Sequence, residues 1–215
     1  GVMNVFPAQA QLMATSEGQL NPEAFSIQAE LSRAGFASIS KPMLFNTGPP
    51  TAMLAMRHPQ GTCFATIHHP VVAVDKLGTD LVSVIRYVDR NGTHEAILTT
   101  GNMAEGGTVP APDQSYMQLF PGADTRTLLQ HHMRAIQFLK ENGVNIVAVG
   151  NSQFRSVLFE SMQRIRYTFL QNPVWNTMVA IVRTFIKTSP YRGPIMEQAA
   201  VVRSLKRKRQ HLASA

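Results

Sequence analysis

Hydrophobic and polar positions change period along this chain, and the changes delimit its elements. From Pro22, Ala24, Ile27, Leu31 and Ala34 recur at helical spacing behind Asn21-Pro22, a cap followed by proline at the first helical position. Gly35 supplies a stop, so the spacing predicts a helix over 22–34. Residues 1–20 carry no clear period and are expected along the surface. The mixed segment 36–45 has room for one short strand, and Thr47-Gly48-Pro49-Pro50 reads as a loop.

The period then falls to two. Thr51 to His69 around Gln60-Gly61 reads as a hairpin pairing Met56 with Ala65 and Leu54 with Ile67, with His58 beside Cys63. A second hairpin joins Leu81–Asp89 to Thr93–Thr100. Asn91-Gly92 suits a type I′ turn, whose two central residues need positive φ. That turn pairs Tyr87 with Ala96 and Ile85 with Leu98 on one face. It leaves Arg86, Val88, Glu95 and Thr99 on the other, and sets Asp89 opposite His94. Gly101 to Met117 is a long loop rich in glycine and proline, a kind that often carries function.

Helical spacing returns at Asp124, a cap for the stripe Leu128, Leu129, His132, Ala135, Ile136 and Leu139, which Asn142-Gly143 ends. Val144–Val149 is a short apolar run, read as a buried strand. Phe154, Val157, Leu158, Met162, Ile165 and Phe169 form another helical stripe. Asn172-Pro173 restarts a helix to about Lys187, and a last one from Pro194 carries Ile195, Ala199, Val202 and Leu205. Strands in one run and helices in another point to an α+β fold: an antiparallel sheet of at least four strands built from two hairpins, packed against several helices. One domain over 1–193 and a basic C-terminal helix or tail over 194–215 is the expected division.

Charge sharpens that division. Residues 1–150 hold 9 Lys+Arg against 11 Asp+Glu, whereas 151–215 hold 11 against 2, so the net +7 is −2 followed by +9. Arg203, Lys206, Arg207, Lys208 and Arg209 form an anionic-surface candidate, facing lipid head groups or phosphates. Nucleic acid is the less favoured partner, because no aromatic residue follows Tyr191 to stack on bases. Trp175, in the apolar helix upstream, is an interfacial anchor candidate, although that helix reads more simply as core. The single cysteine excludes an intramolecular disulfide and fits a reducing compartment, which favours a cytoplasmic setting. Gly1 is not an initiator, so a removed targeting segment remains compatible with the sequence.

Motifs for chemistry are sparse. Phosphate-binding loops, a nucleophile elbow and the H-E-x-x-H motif are missing, and one cysteine excludes a cysteine-based zinc site within the chain. No cofactor or metal is expected. His68 and His69 are successive strand residues that point to opposite faces. The cross-strand pairs His58–Cys63 and His94–Asp89 read as ordinary hairpin-end residues. His132 is the catalytic candidate, because its place inside an apolar stripe desolvates the ring. A core histidine bonded to a backbone carbonyl is the plainer account. Met53, Met56, Met133, Met162 and Met178 occupy apolar-face positions, as core filler or as an adaptable binding surface.

The leading expectation is a non-enzymatic binding or assembly module for a protein partner or a small hydrophobic ligand. The alternatives are a small hydrolase- or isomerase-like enzyme using His132 with Glu105 or Asp113, and a peripheral protein held at an anionic membrane surface or nucleic acid by the tail.

Overall fold

The structure is a computed structural model. It describes residues 11–14, 22–39, 41, 43–46, 51–70, 77–89, 92–103, 115–154, 156–157, 170–186 and 189–213. Its strands are β1 (Gln11–Ala14), β2 (Ala37–Ser38), β3 (Met43–Asn46), β4 (Thr51–Arg57), β5 (Phe64–Pro70), β6 (Gly78–Asp89), β7 (Gly92–Gly101), β8 (Tyr116–Leu119) and β9 (Asn145–Ile146). Its helices are α1 (Pro22–Arg33), α2 (Thr125–Glu141), α3 (Pro173–Ile186) and α4 (Ala199–Ala213), with a 3-10 turn at Ile195–Glu197 and helical residues at 151–154 and 156–157.

The fold is α+β, with one sheet in the order β1-β3-β4-β5-β6-β7-β8, to which β2 adds at β4 and β9 at β6. The expectation of a purely antiparallel sheet is corrected, because β8 runs parallel to β7, Leu98 opposite Tyr116 and Gly101 opposite Leu119. Two strands joined by a tight turn must be antiparallel. A parallel pair needs a connection of about a dozen residues or more, and the segment 102–115 meets that need. Two strands arise where the hydrophobic pattern shows none or one. β1 lies inside the patternless N-terminal stretch and pairs with β3, and the segment 36–45 contributes to both β2 and β3. These strands are too short for a period to emerge and exist through their partners.

The first hairpin has the expected register, with Met56 opposite Ala65, Leu54 opposite Ile67, and His58 N–H bonded to Cys63 C=O at 2.9 Å. The second is displaced by two positions: Ile85 pairs with Ala96, Tyr87 with His94 and Asp89 with Gly92. The linking residues are therefore 90 and 91, which lie outside the described residues. An even shift preserves the faces. Ile85, Tyr87, Ala96 and Leu98 still pack together, and Arg86 and Glu95 still form an ion pair on the opposite side.

Alternation along β6 divides the core. Leu81, Ile85 and Tyr87 face α1, α2, Ile195 and Leu205 on one side, in clusters that also take Leu31, Leu128, Ala135 and Leu139. Val82 and Val84 face Phe64, Val149, Phe154 and Val157 on the other, where the Phe64 and Phe154 rings stack at 3.8 Å. Of the stripe expected from Asn151, only Phe154 and Val157 are described, and both are buried; Leu158, Met162, Ile165 and Phe169 lie outside the described residues.

Helices α1 and α2 close by the same device. Gly35 and Gly143 take positive φ (94° and 79°), and the next residue, Phe36 or Val144, returns its N–H to the helix carbonyl of Leu31 or Leu139 at 3.0 Å. Phe36 and Val144 are then buried against the core, so each stop also anchors its helix. At the other end of α2, Asp124 Oδ1 accepts from Thr127 N–H at 2.7 Å. That bond holds the Asp124 carboxyl below the usual carboxylate range.

Candidate functional site

His132 lies in the middle of the buried face of α2, fully enclosed, between the two apolar clusters on its side of the sheet. Both ring nitrogens are engaged: Nε2 with Ser83 Oγ and Nδ1 with Thr100 Oγ1, each at 2.8 Å. Neighbouring bonds assign the protons. Ser83 O–H donates to the Thr62 carbonyl at 2.6 Å, so Ser83 accepts from Nε2–H. Gln118 Nε2–H donates to Thr100 Oγ1 at 2.8 Å, and Thr100 O–H in turn donates to Nδ1. Gln118 extends the chain, donating to the His131 carbonyl and accepting from Ile195 N–H at 3.2 Å.

The ring is neutral by construction. Burial, with no opposite charge beside it among the described residues, pushes its pKa down to about 3. Ser83 stands at catalytic distance from a histidine, yet its proton is committed to a carbonyl and the whole group is sealed from water. What this arrangement does is join β6, β7 and β8 to α2 and to the turn before α4. Glu105 and Asp113, the carboxylates considered as partners for His132, lie outside the described residues.

The other histidine placements separate. His58 packs its ring edge-on to Phe36 at 5.3 Å, and the Cys63 thiol is buried, pushed up to about 12 by desolvation. A thiol so placed stays protonated and unreactive at neutral pH. Asp89 and His94 are not cross-strand neighbours, because the observed register gives them Gly92 and Tyr87 as partners. His131 stacks on Phe120 at 3.8 Å, and partial burial lowers its pKa with help from Arg134.

One cluster escaped the sequence reading. His68 of β5 approaches Asp80 of β6, Nε2 to Oδ2 at 3.8 Å, and the Met103 sulfur just beyond β7 at 3.1 Å. All three lie on the face of the sheet away from α2. Burial raises the Asp80 pKa, while His68 pulls it down. On one side each has a glycine opposite it in the sheet: Gly78 beside His68, with Met53 on its other side, and Gly101 beside Asp80, with Thr66 on its other side. A Cβ at Gly101 would meet Asp80 Oδ1 at 2.1 Å, and one at Gly78 would meet the Met103 sulfur at 2.5 Å and His68 Nε2 at 2.8 Å. Glycine inside a strand is the available signal for such a close approach. Both glycines were legible, but not what fills the space above them.

The surface candidates are also placed. On α4, Arg203 and Lys206 are exposed; Arg207, Lys208 and Arg209 belong to the same helix, with side chains outside the description. Ile195 and Leu205 are buried in the main core, so this basic segment is anchored through its apolar side. On and before α3, Leu170 (55%), Val174 (75%), Trp175 (67%) and Met178 (56%) are all more than half exposed. Val174 and Met178, four residues apart, lie along one side of α3 with Trp175 beside Val174, and Leu170 precedes the bend at Asn172. Val174, Trp175 and Met178 border an open hollow of about 340 Å³ with Asn172 and Pro173. Of the methionines at apolar-face positions, Met53 and Met56 fill the core, while Met133 and Met178 are exposed.

Among the described residues, no three His, Cys, Asp or Glu side chains come close enough to share a metal ion, and no helix is long and apolar enough to cross a membrane. No protein-family model, curated protein or solved structure matches the chain.

Proposed function

We propose that the chain is a non-enzymatic binding or assembly module whose contact surface is the apolar stripe of α3. The observation that carries this reading is the exposure of Val174, Trp175 and Met178 together, with Leu170 exposed just before the helix. Large apolar side chains scattered singly on a surface are ordinary; a contiguous set marks a contact. Tryptophan adds weight, since a large ring with one polar tip dominates the binding energy of many interfaces. An open hollow does not enclose most of a small molecule's surface. Of the two occupants foreseen, a protein partner is therefore favoured over a small hydrophobic ligand.

A photo-reactive amino acid placed at Val174 or Met178 in cells is expected to give one adduct of fixed mass, absent with the probe at exposed Gln153. Trp175→Ser is expected to weaken that contact by about 2 kcal/mol or more, roughly thirtyfold. Its effect on the midpoint of unfolding stays within about 0.5 kcal/mol, because the ring is exposed. Adducts no different from the Gln153 control would remove the basis for this reading.

A second reading, peripheral attachment to an anionic membrane surface, is favoured by the exposure of Arg203 and Lys206 within a C-terminal third that carries +9. Deleting the segment is the wrong test, because Ile195 and Leu205 belong to the core. Neutralising Arg203, Lys206, Arg207, Lys208 and Arg209 to glutamine leaves those anchors in place. Each cation contributes about 1 kcal/mol near an anionic surface. The quintuple variant is therefore expected to lose co-sedimentation with phosphatidylserine-containing vesicles that the parent shows at low salt. Equal sedimentation of the two chains would discard the idea, and stronger competition by duplex DNA than by lipid would turn it towards nucleic acid.

A further inference from the structure

We propose that His68 Nε2 and the Met103 sulfur, with the Asp80 carboxylate as third donor, form a binding site for a soft monovalent cation of the copper(I) class. This site lies on the sheet face away from α2 and is independent of the contact surface on α3.

Metal–nitrogen bonds of about 2.0–2.1 Å and metal–sulfur bonds of about 2.3 Å let one ion join atoms up to about 4.3 Å apart. His68 Nε2 stands 3.1 Å from the Met103 sulfur and 3.8 Å from Asp80 Oδ2, so both partners fall within the reach of an ion on the imidazole. A thioether is only a weak hydrogen-bond acceptor. An approach of 3.1 Å is thus a poor use of an imidazole N–H and a good use of its lone pair beside a second soft donor.

The backbone supports the same reading. His68 and Asp80 each have a glycine opposite them on one side, Gly78 and Gly101, and a methyl group at either would collide with the donors themselves. Three side chains from β5, β6 and the end of β7 converge over the space those glycines leave. His68 and Asp80 retain side-chain exposures of 18% and 29%, so the cluster is open to an entering ion.

The donor set selects the ion. Thioether sulfur favours copper(I), imidazole tolerates it, and a low coordination number satisfies it. Magnesium and calcium require more oxygen donors than Asp80 supplies. Asp80 also balances the single positive charge, and a carboxylate in desolvated surroundings is stabilised by a cation beside it. Binding through Nε2 places the remaining ring proton on Nδ1.

The test uses the whole chain with silver(I) and with copper(I), the latter under anaerobic reducing conditions against a chromophoric copper(I) chelator. The ε-methyl groups of methionine carry a carbon-13 label. One equivalent of silver(I) is expected to shift the methyl resonance that disappears in Met103→Leu. Met103→Leu conserves volume and is expected to retain the fold by circular dichroism. It should lose at least about tenfold in copper(I) affinity, as should His68→Ala, while zinc(II) fails to compete. An unmoved Met103 methyl, or Met103→Leu binding as tightly as the parent, overturns the site. Zinc(II) competing equally overturns the assignment to a soft ion. Should His68→Ala fail to fold, the methyl shift and Met103→Leu decide alone.

Discussion

His132→Leu is expected to lower the free energy of unfolding by about 2–4 kcal/mol, measured by urea denaturation at neutral pH. Leucine keeps an apolar body in the enclosed space but carries neither ring nitrogen. Thr100 then has a buried hydroxyl proton with no acceptor, since its bond to Nδ1 is gone while Gln118 still donates to its oxygen. An unsatisfied buried donor costs about 1–3 kcal/mol, and the mismatch in shape adds about 1–3 kcal/mol less whatever the site relaxes. Ser83 is less affected, because its own proton remains on the Thr62 carbonyl. Ser83→Ala is expected to cost about 1–3 kcal/mol, because it leaves the buried His132 Nε2–H without its acceptor. A His132→Leu chain within about 0.5 kcal/mol of the parent would show that the ring nitrogens contribute little and that α2 is held by its leucines alone.

Acid is expected to destabilise the same network by a larger amount. The His132 pKa falls from 6.5 to about 3 on folding, because burial disfavours the charged ring. Above pH 6.5 the ring is neutral in both states and contributes no pH dependence. Below it the unfolded chain takes up a proton that the folded chain refuses. Each pH unit then costs up to about 1.4 kcal/mol, and the loss approaches about 4–5 kcal/mol near pH 3. His131 acts in the same direction, since its pKa is also lowered. Asp80 acts in the opposite one: with its pKa raised, the folded state holds the proton more tightly, which offsets part of the loss at the acid end. Urea midpoints followed from about pH 7 to about pH 4 are expected to fall in the parent. They should fall far less in His132→Gln, which keeps polar atoms at the position without a titrating group. Parallel curves for the two chains would assign the acid sensitivity elsewhere.

Both expectations rest on contacts that local sequence did not contain. Ser83 and Thr100 lie 49 and 32 positions before His132, and a hydroxyl on a strand announces nothing about which ring it will meet. What was legible was the desolvated place of His132 in its stripe, because helical period is a local property. The plainer account of that histidine named a backbone carbonyl as partner. The actual partners are two side-chain hydroxyls, with the carbonyl one bond further on. The cluster of His68, Asp80 and Met103 was hidden for the same reason. Met103 joins His68 across 35 positions, at the edge of a segment whose composition signals only a loop. On α3 the exposure itself was the unreadable quantity, since apolar helical spacing is identical whether the face is covered or bare.

By itself the sequence determined what short-range forces decide. It set α1 and α2 with their caps and stops at Asp124, Gly35 and Gly143, the register of the first hairpin, and the faces of the second. Only the tertiary structure decided the rest. It chose the register of the second hairpin, which pairs Gly92 with Asp89. It gave the short strands β1, β2 and β3 an existence, since so few residues form strands only when a neighbour supplies the hydrogen bonds. It placed β8 parallel to β7, and it decided which polar groups meet in the interior. Those outcomes depend on chain closure over long separations, whose energy belongs to the assembled core and to no local window of residues.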